Sequence, residues 1–166
     1  MAKGFGRILY GRDYNPNQWP KEIWDQDMVY FRDAHINSAT INVFSWAKIQ
    51  PSEEEYYFDE LDEIVDMLSK ENYDIVLATS TGAMPAWMYK KYPEVGRVDY
   101  QGRRHRFGQR HNACPHSPIY QKYAKALVSS WFTDMAIIPR SPAGTSITNI
   151  TVSATAKIAK RLSGCG

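Results

Sequence analysis

The sequence predicts an α/β fold built on a parallel sheet, and three observations predict it. Short apolar, β-branched runs recur at 7–14, 38–46 and 73–81; stretches with helical spacing of apolar residues follow them at 19–36, 58–72 and 117–131; and polar and aromatic residues gather after each apolar run. Strand and helix alternating three times is the order that crossover connections turn into a parallel sheet. Periodicity does not separate a doubly wound sheet from a barrel. In both, ligands bind at the edge where the C-terminal ends of the strands lead into loops.

"RILYGRDY" (7–14) is apolar and ends in polar residues, as a buried strand entering a functional loop does. In "WPKEIWDQDMVYFRDAHI" (19–36), Pro20 stands near a helix start, and Ile23, Trp24, Asp27, Met28 and Phe31 recur at helical spacing. "SATINVFSW" (38–46) is the second strand. "FDELDEIVDMLSKEN" (58–72) puts Leu61, Ile64, Val65 and Leu68 on one stripe, with Asp59 as a cap. "YDIVLATST" (73–81) is the third strand, and "SPIYQKYAKALVSSW" (117–131) is a helix opened by Ser117 and Pro118.

Composition bounds the function classes. With 166 residues, 43% of them hydrophobic, the chain has apolar material for one core. A net charge of +2 is too small to argue for nucleic acid or an anionic membrane as a partner, so neither is expected, and "GRRHR" reads as an exposed turn. There is no apolar run of the roughly 20 residues a bilayer requires and no charged-then-apolar leader, so the expectation is a cytoplasmic protein. Two cysteines, Cys114 and Cys165, make no disulfide framework, which leaves a free thiol or a metal ligand.

The loops carry more. "YGRDYNPNQWP", "FSWAKIQPSEEEYYFDELD", "ATSTGAMPAWMYKKYPEV" and "GRRHRFGQRHNACPHSPIY" occur in this order, and together residues 8–131 resemble the N-terminal part of the glycoside hydrolase family 42 β-galactosidases. The resemblance implies a (β/α)8 barrel of which 1–132 would hold about three βα units. It also implies retaining hydrolysis of terminal β-D-galactosides, a homotrimer, and in some members a structural zinc on a cysteine cluster; the chemistry itself requires no cofactor. Retention uses two carboxyl groups about 5–5.5 Å apart. The family's acid/base lies after the fourth strand in an N-E-Y motif and its nucleophile lies further on, so neither catalytic glutamate is expected in this chain.

Two residues carry family roles by resemblance. Arg110, in "FGQRHNAC", matches the arginine that binds substrate in the galactose subsite, a task suited to a planar fork of donors. Read alone, it is a surface arginine capping a loop. Cys114 matches the first zinc-binding cysteine; a closed zinc site needs four ligands, and a lone cysteine is by default a small buried hydrophobe.

Other residues stay open between roles. His105, His111 and His116 flank turns and read as solvated rather than as a metal trio, and Glu53, Glu54 and Glu55 read as a solvated loop. Trp24 reads as core, whereas Trp46 and Trp87, placed in loops after strands, read as possible sugar platforms beside Trp19. Asp13 and Asn15 either face the site or shape a turn. The "NIT" triplet at Asn149 is too short a pattern to weigh.

After Phe132 the periodicity stops, and the genetic code offers a reason. Written as GCT GGC ACA TCA ATA ACG AAT ATN, the codons of Ala143–Ile150 read TGG CAC ATC AAT AAC GAA TAT when started at the last base of the Ala143 codon. That is W-H-I-N-N-E-Y, the family's acid/base motif. In the same frame, codons allowed for Asp134–Gly144 read R-Y-G-N-H-P-A-I-A-G-W, and those for Thr151–Gly166 read x-C-E-C-Y-C-E-N-C-E-K-A-F-R-V-W, which supplies the C-x-C-x-x-C that Cys114 lacks. The expectation is a loss of one nucleotide near codons 132–134, with 133–166 an out-of-frame tail never selected to fold. The chain as written would then be an inactive, aggregation-prone fragment with an unpaired sheet edge. The alternative is a non-catalytic carbohydrate-binding α/β module using Arg110, Trp46 and Trp87.

Overall fold

The computed structural model describes residues 8–108 and 110–135. Residues 136–166 of the tail, with Asn149, Cys165 and the weakly helical "SATAKIAKRL", lie outside the described residues, as do residues 1–7. The described residues divide into two compact units, one formed by those up to Val43 together with Asp59–Ala78, the other by Phe44–Phe58 and the described residues from Thr79 on.

The first unit is the sheet. Strands β1 (Gly11–Asp13), β2 (Ser38–Ile41) and β3 (Asp74–Leu77) run parallel in the order β1-β2-β3, with Gly11 opposite Ser38 and Ser38 opposite Asp74. Gly11 is fixed by close approach: a Cβ there would lie 2.0 Å from the Ser38 carbonyl oxygen, so no side chain fits. Ahead of the first strand the Asn37 side chain adds to the backbone pairing: its Oδ1 accepts from the Tyr10 N–H at 2.8 Å and its Nδ2 donates to the Ile8 carbonyl at 2.9 Å, while the Asn37 backbone N–H donates to the Tyr10 carbonyl at 2.9 Å.

Two helices connect these strands. Helix α1 (Trp24–Asp33), led by a 3-10 turn at Lys21–Ile23, buries Trp24, Met28 and Phe31, while Ile23 from the predicted stripe is 41% exposed. Asp27 tolerates its place on this face because the Tyr14 hydroxyl donates to it at 3.1 Å; burial first, and then the Asp27 charge, push the Tyr14 pKa up. Asn15 shapes a turn, its carbonyl accepting from the Gln18 N–H at 3.2 Å, and Trp24 Nε1 donates to the Pro16 carbonyl at 2.9 Å. Helix α3 (Asp59–Lys70) buries all four residues of its stripe, Leu61, Ile64, Val65 and Leu68, and packs on β3. Asp59 is its first residue rather than its cap, and there a carboxylate complements the helix dipole. Phe31 lies between Tyr14 and Tyr73, with edge-on ring separations of 4.9 and 5.8 Å.

The second unit consists of the excursions that follow β2 and β3. It holds α2 (Trp46–Ile49), α4 (Ala86–Lys91), a 3-10 turn at Pro93–Val95, and α5 (Pro118–Met135), which carries the helix predicted over 117–131 past the 132/133 boundary. Ser117 starts α5 by accepting the Tyr120 N–H at 3.4 Å on its Oγ. Trp46, Ile49, Met88, Val95, Tyr120, Tyr123 and Leu127 form its core. Among the described residues, no helix is long and apolar enough to cross a membrane.

Candidate functional site

The second unit gathers its chemistry around three chain segments. Phe44 is three residues past β2, Gly82 is five past β3, and Arg110–His111 ends the long excursion after α4. The Arg110 guanidinium lies over the Phe44 ring at 4.5 Å, and both residues are exposed, Phe44 at 41%. His111 adopts a left-handed backbone (φ 52°) and donates its N–H to the Gly82 carbonyl at 3.0 Å. Ser80, buried and also left-handed at φ 57°, accepts the Ser45 N–H on its Oγ at 3.2 Å. Positive φ is uncommon outside glycine and is kept only where surrounding contacts fix it, which is the case at both residues.

The same unit holds two polar hubs. Gln50 is fully buried: its Oε1 accepts from Trp46 Nε1 at 2.8 Å, its Nε2 donates to the Glu53 carbonyl at 3.0 Å, and its own carbonyl accepts from Trp87 Nε1 at 2.9 Å. Trp46 is therefore core, tilted against Tyr120 with ring centroids 5.9 Å apart. It has no exposed face to offer a sugar, which corrects the platform expected from its place in a predicted loop. Trp87 sits in α4, half-buried and edge-on to Tyr123 at 5.1 Å; Trp19 is 58% exposed.

Glu53 is the second hub. Glu54 and Glu55 are exposed as expected, but Glu53 is not a solvated loop residue: its side chain is only a quarter exposed and accepts from Lys91 Nζ, Tyr123 Oη and, at 2.9 Å, Tyr92 Oη. The hydrogen bond from Lys91, followed by that from Tyr123, holds its pKa near 2. The Tyr123 hydroxyl is pushed up, first by burial and then by its bond to Glu53, and Lys91 is pushed up by the same carboxylate. A carboxylate this firmly ionised has no proton to give at neutral pH, so Glu53 is a brace and not a general acid.

Comparison with known proteins places this geometry. The family model described as β-galactosidase, glycoside hydrolase family 42, matches residues 13–134. The chain belongs to the glycoside hydrolase family 42 β-galactosidases. It is 61% identical over 122 residues to β-galactosidase LacZ of Lactobacillus acidophilus, covering 74% of this chain and 18% of that one. To β-galactosidase BgaA of Planococcus sp. it is 54% identical over 125 residues, covering 75% and 18%. The crystal structure of β-galactosidase from Bacillus circulans sp. alkalophilus superposes with a TM-score of 0.78 at 56% identity, covering 81% of this chain and 20% of that one. The chain thus spans about a fifth of the length of these family 42 relatives, and its α/β fold is the N-terminal part of their TIM barrel.

Cys114, the family position for a first zinc ligand, is half-buried; its N–H donates to the Val95 carbonyl at 2.8 Å and its carbonyl accepts from the Ser117 N–H at 3.0 Å. Among the described residues, no three His, Cys, Asp or Glu side chains come together to hold a metal. The donors present do not fit a closed tetrahedral zinc site, which needs four. His111 and His116 are exposed and His105 is half-buried. Phe44, Gln50 and Glu53 are the residues that sequence reasoning missed. Phe44 and Gln50 each lie within quoted family motifs, but only tertiary contacts reveal what they touch.

Proposed function

We propose that this chain is the N-terminal part of a retaining β-galactosidase whose reading frame has lost one nucleotide near codons 132–134, and that the chain as written does not hydrolyse galactosides. The observation that carries this reading is a coincidence of positions. The family match ends at residue 134, and from Asp134 onward codons permitted by the amino-acid sequence can be read, in the frame starting one base earlier, as R-Y-G-N-H-P-A-I-A-G-W-H-I-N-N-E-Y.

In the restored protein, the glutamate of N-N-E-Y is the acid/base and a later glutamate the nucleophile, the pair that retention of configuration requires. Arg110 binds the galactose hydroxyls through its fork of N–H donors. Cys114 is the first of a set of zinc ligands completed by C-E-C-Y-C-E-N-C, which would give structural support rather than chemistry. The substrate is a terminal β-D-galactoside, the location is cytoplasmic, and the assembly is a homotrimer.

The test expresses two genes, one as it stands and one with the single base restored, and assays both on 4-nitrophenyl β-D-galactopyranoside, with NMR of the first-formed anomer. Turnover with β-galactose as the first product from the restored gene alone is the expected result. In that protein Arg110→Ala lowers kcat/KM by about 10- to 100-fold, the range for a lost charge-assisted hydrogen bond. Turnover by the 166-residue chain would overturn the reading.

A further inference from the structure

The exposed aromatic that meets Arg110 is not one of the tryptophans expected to face a sugar, and its neighbours explain its place. Phe44 keeps 41% of its surface exposed while its ring lies under the guanidinium at 4.5 Å. The residue after it is pinned: the Ser45 N–H donates to the Oγ of Ser80, which is almost fully buried. The residue after Arg110 is pinned as well, through the His111 N–H to the Gly82 carbonyl. A Cβ on Gly82 would lie 3.2 Å from His111 Cε1 and 3.8 Å from Phe44 Cε1, so the arginine turn and the ring close on the same small residue.

We propose that Phe44 is the positioning residue for Arg110, its ring the shelf that fixes where the guanidinium stands, with Gly82 as the spacer that keeps shelf and arginine in register. This rests on the reading of Arg110 as the galactose-binding arginine. A long arginine side chain at the surface samples many rotamers, and fixing it before the sugar arrives removes an ordering cost from binding. The attraction of a cation to the ring face supplies the fixing force. It is retained by any aromatic ring at position 44 and lost with an aliphatic one.

The first measurement uses the full 166-residue chain with 15N-labelled arginine, the Arg110 side-chain resonance being assigned by its loss in Arg110→Lys. The ring current of Phe44 shifts the Arg110 Hε and Hδ protons upfield. Phe44→Leu returns them toward free-arginine positions, Phe44→Tyr keeps them upfield, and Gly82→Ala moves them part of the way. Identical Arg110 shifts in wild type and Phe44→Leu would overturn the shelf.

The second measurement follows kcat and KM on 4-nitrophenyl β-D-galactopyranoside in the frame-restored protein. Phe44→Leu lowers kcat/KM about three- to tenfold, and Phe44→Tyr recovers most of that loss. Equal kcat/KM in wild type and Phe44→Leu, in a protein that Arg110→Ala impairs, overturns the positioning role. Ring-current shifts that respond as stated, in a protein that Arg110→Ala leaves unimpaired, overturn instead the reading of Arg110 as the sugar-binding residue.

Discussion

The two units of this chain are held together by different forces. In the sheet unit the most deeply buried side chains are apolar: Leu68, Ile75 and Ile41 are at most 1% exposed and the bonding among them is dispersion and dehydration. In the loop unit, the equally buried Gln50 and Trp46 are bonded to each other, and Glu53 is ringed by Lys91, Tyr92 and Tyr123. A periodic apolar interior can be rebuilt by any sequence with the right stripe, whereas a polar hub works only if every partner is in place. The candidate pair Phe44 and Arg110 lies in the unit that carries the polar hubs.

The contrast can be broken in order of effect. Leu68→Ala, which opens a cavity in the sheet unit, costs about 2–5 kcal/mol and lowers the urea midpoint accordingly. Gln50→Leu keeps the volume but leaves Trp46 Nε1 and the Glu53 carbonyl without this partner, at about 1–3 kcal/mol; amide hydrogen exchange should show the loss concentrated in 44–58 and 79–135. A loss spread evenly over both units would contradict the idea of a local hub.

Glu53→Gln tests charge. Because the folded carboxylate titrates near 2 against an ordinary 4.5, its contribution is fully present above pH 4.5 and is lost as the pH falls toward 2. Wild type should therefore lose more stability than Glu53→Gln over that window, measured as the difference between their denaturation midpoints at pH 5 and pH 2.5. The smallest effect belongs to the surface. Arg32→Ala removes the 2.5 Å pair with Glu71, whose side chains are 52% and 37% exposed, and shifts stability by less than about 1 kcal/mol.

The same division explains what the sequence made legible. The α3 stripe reads directly because four apolar residues at helical spacing can only face one way, and Trp24, Met28 and Phe31 of α1 follow the same rule. Strand positions were legible, but their ends were not. β2 ends at Ile41, where Asn42 turns the chain into left-handed backbone (φ 65°) although the apolar composition continues past it in Val43 and Phe44. α2 and α4, four and six residues long, are too short to show a period, so Trp46 read as a loop residue when it is core. Glu53 reads as one of three like carboxylates; only the hydroxyls and the amine brought in by α4 and α5 distinguish it. Arg110 was legible by resemblance and Phe44 was not, because a contact across more than sixty positions leaves no local pattern.

The central claim is that the tail is the catalytic segment read out of frame, and the nucleotide sequence from codon 125 through codon 170 tests it most directly. The account predicts GCT for Ala143, ACA for Thr145 and TCA for Ser146, with one additional base restored near codon 133 and an open frame running through W-H-I-N-N-E-Y into the cysteine cluster. Codons for Ala143–Ile150 that cannot yield that motif in the neighbouring frame would contradict it.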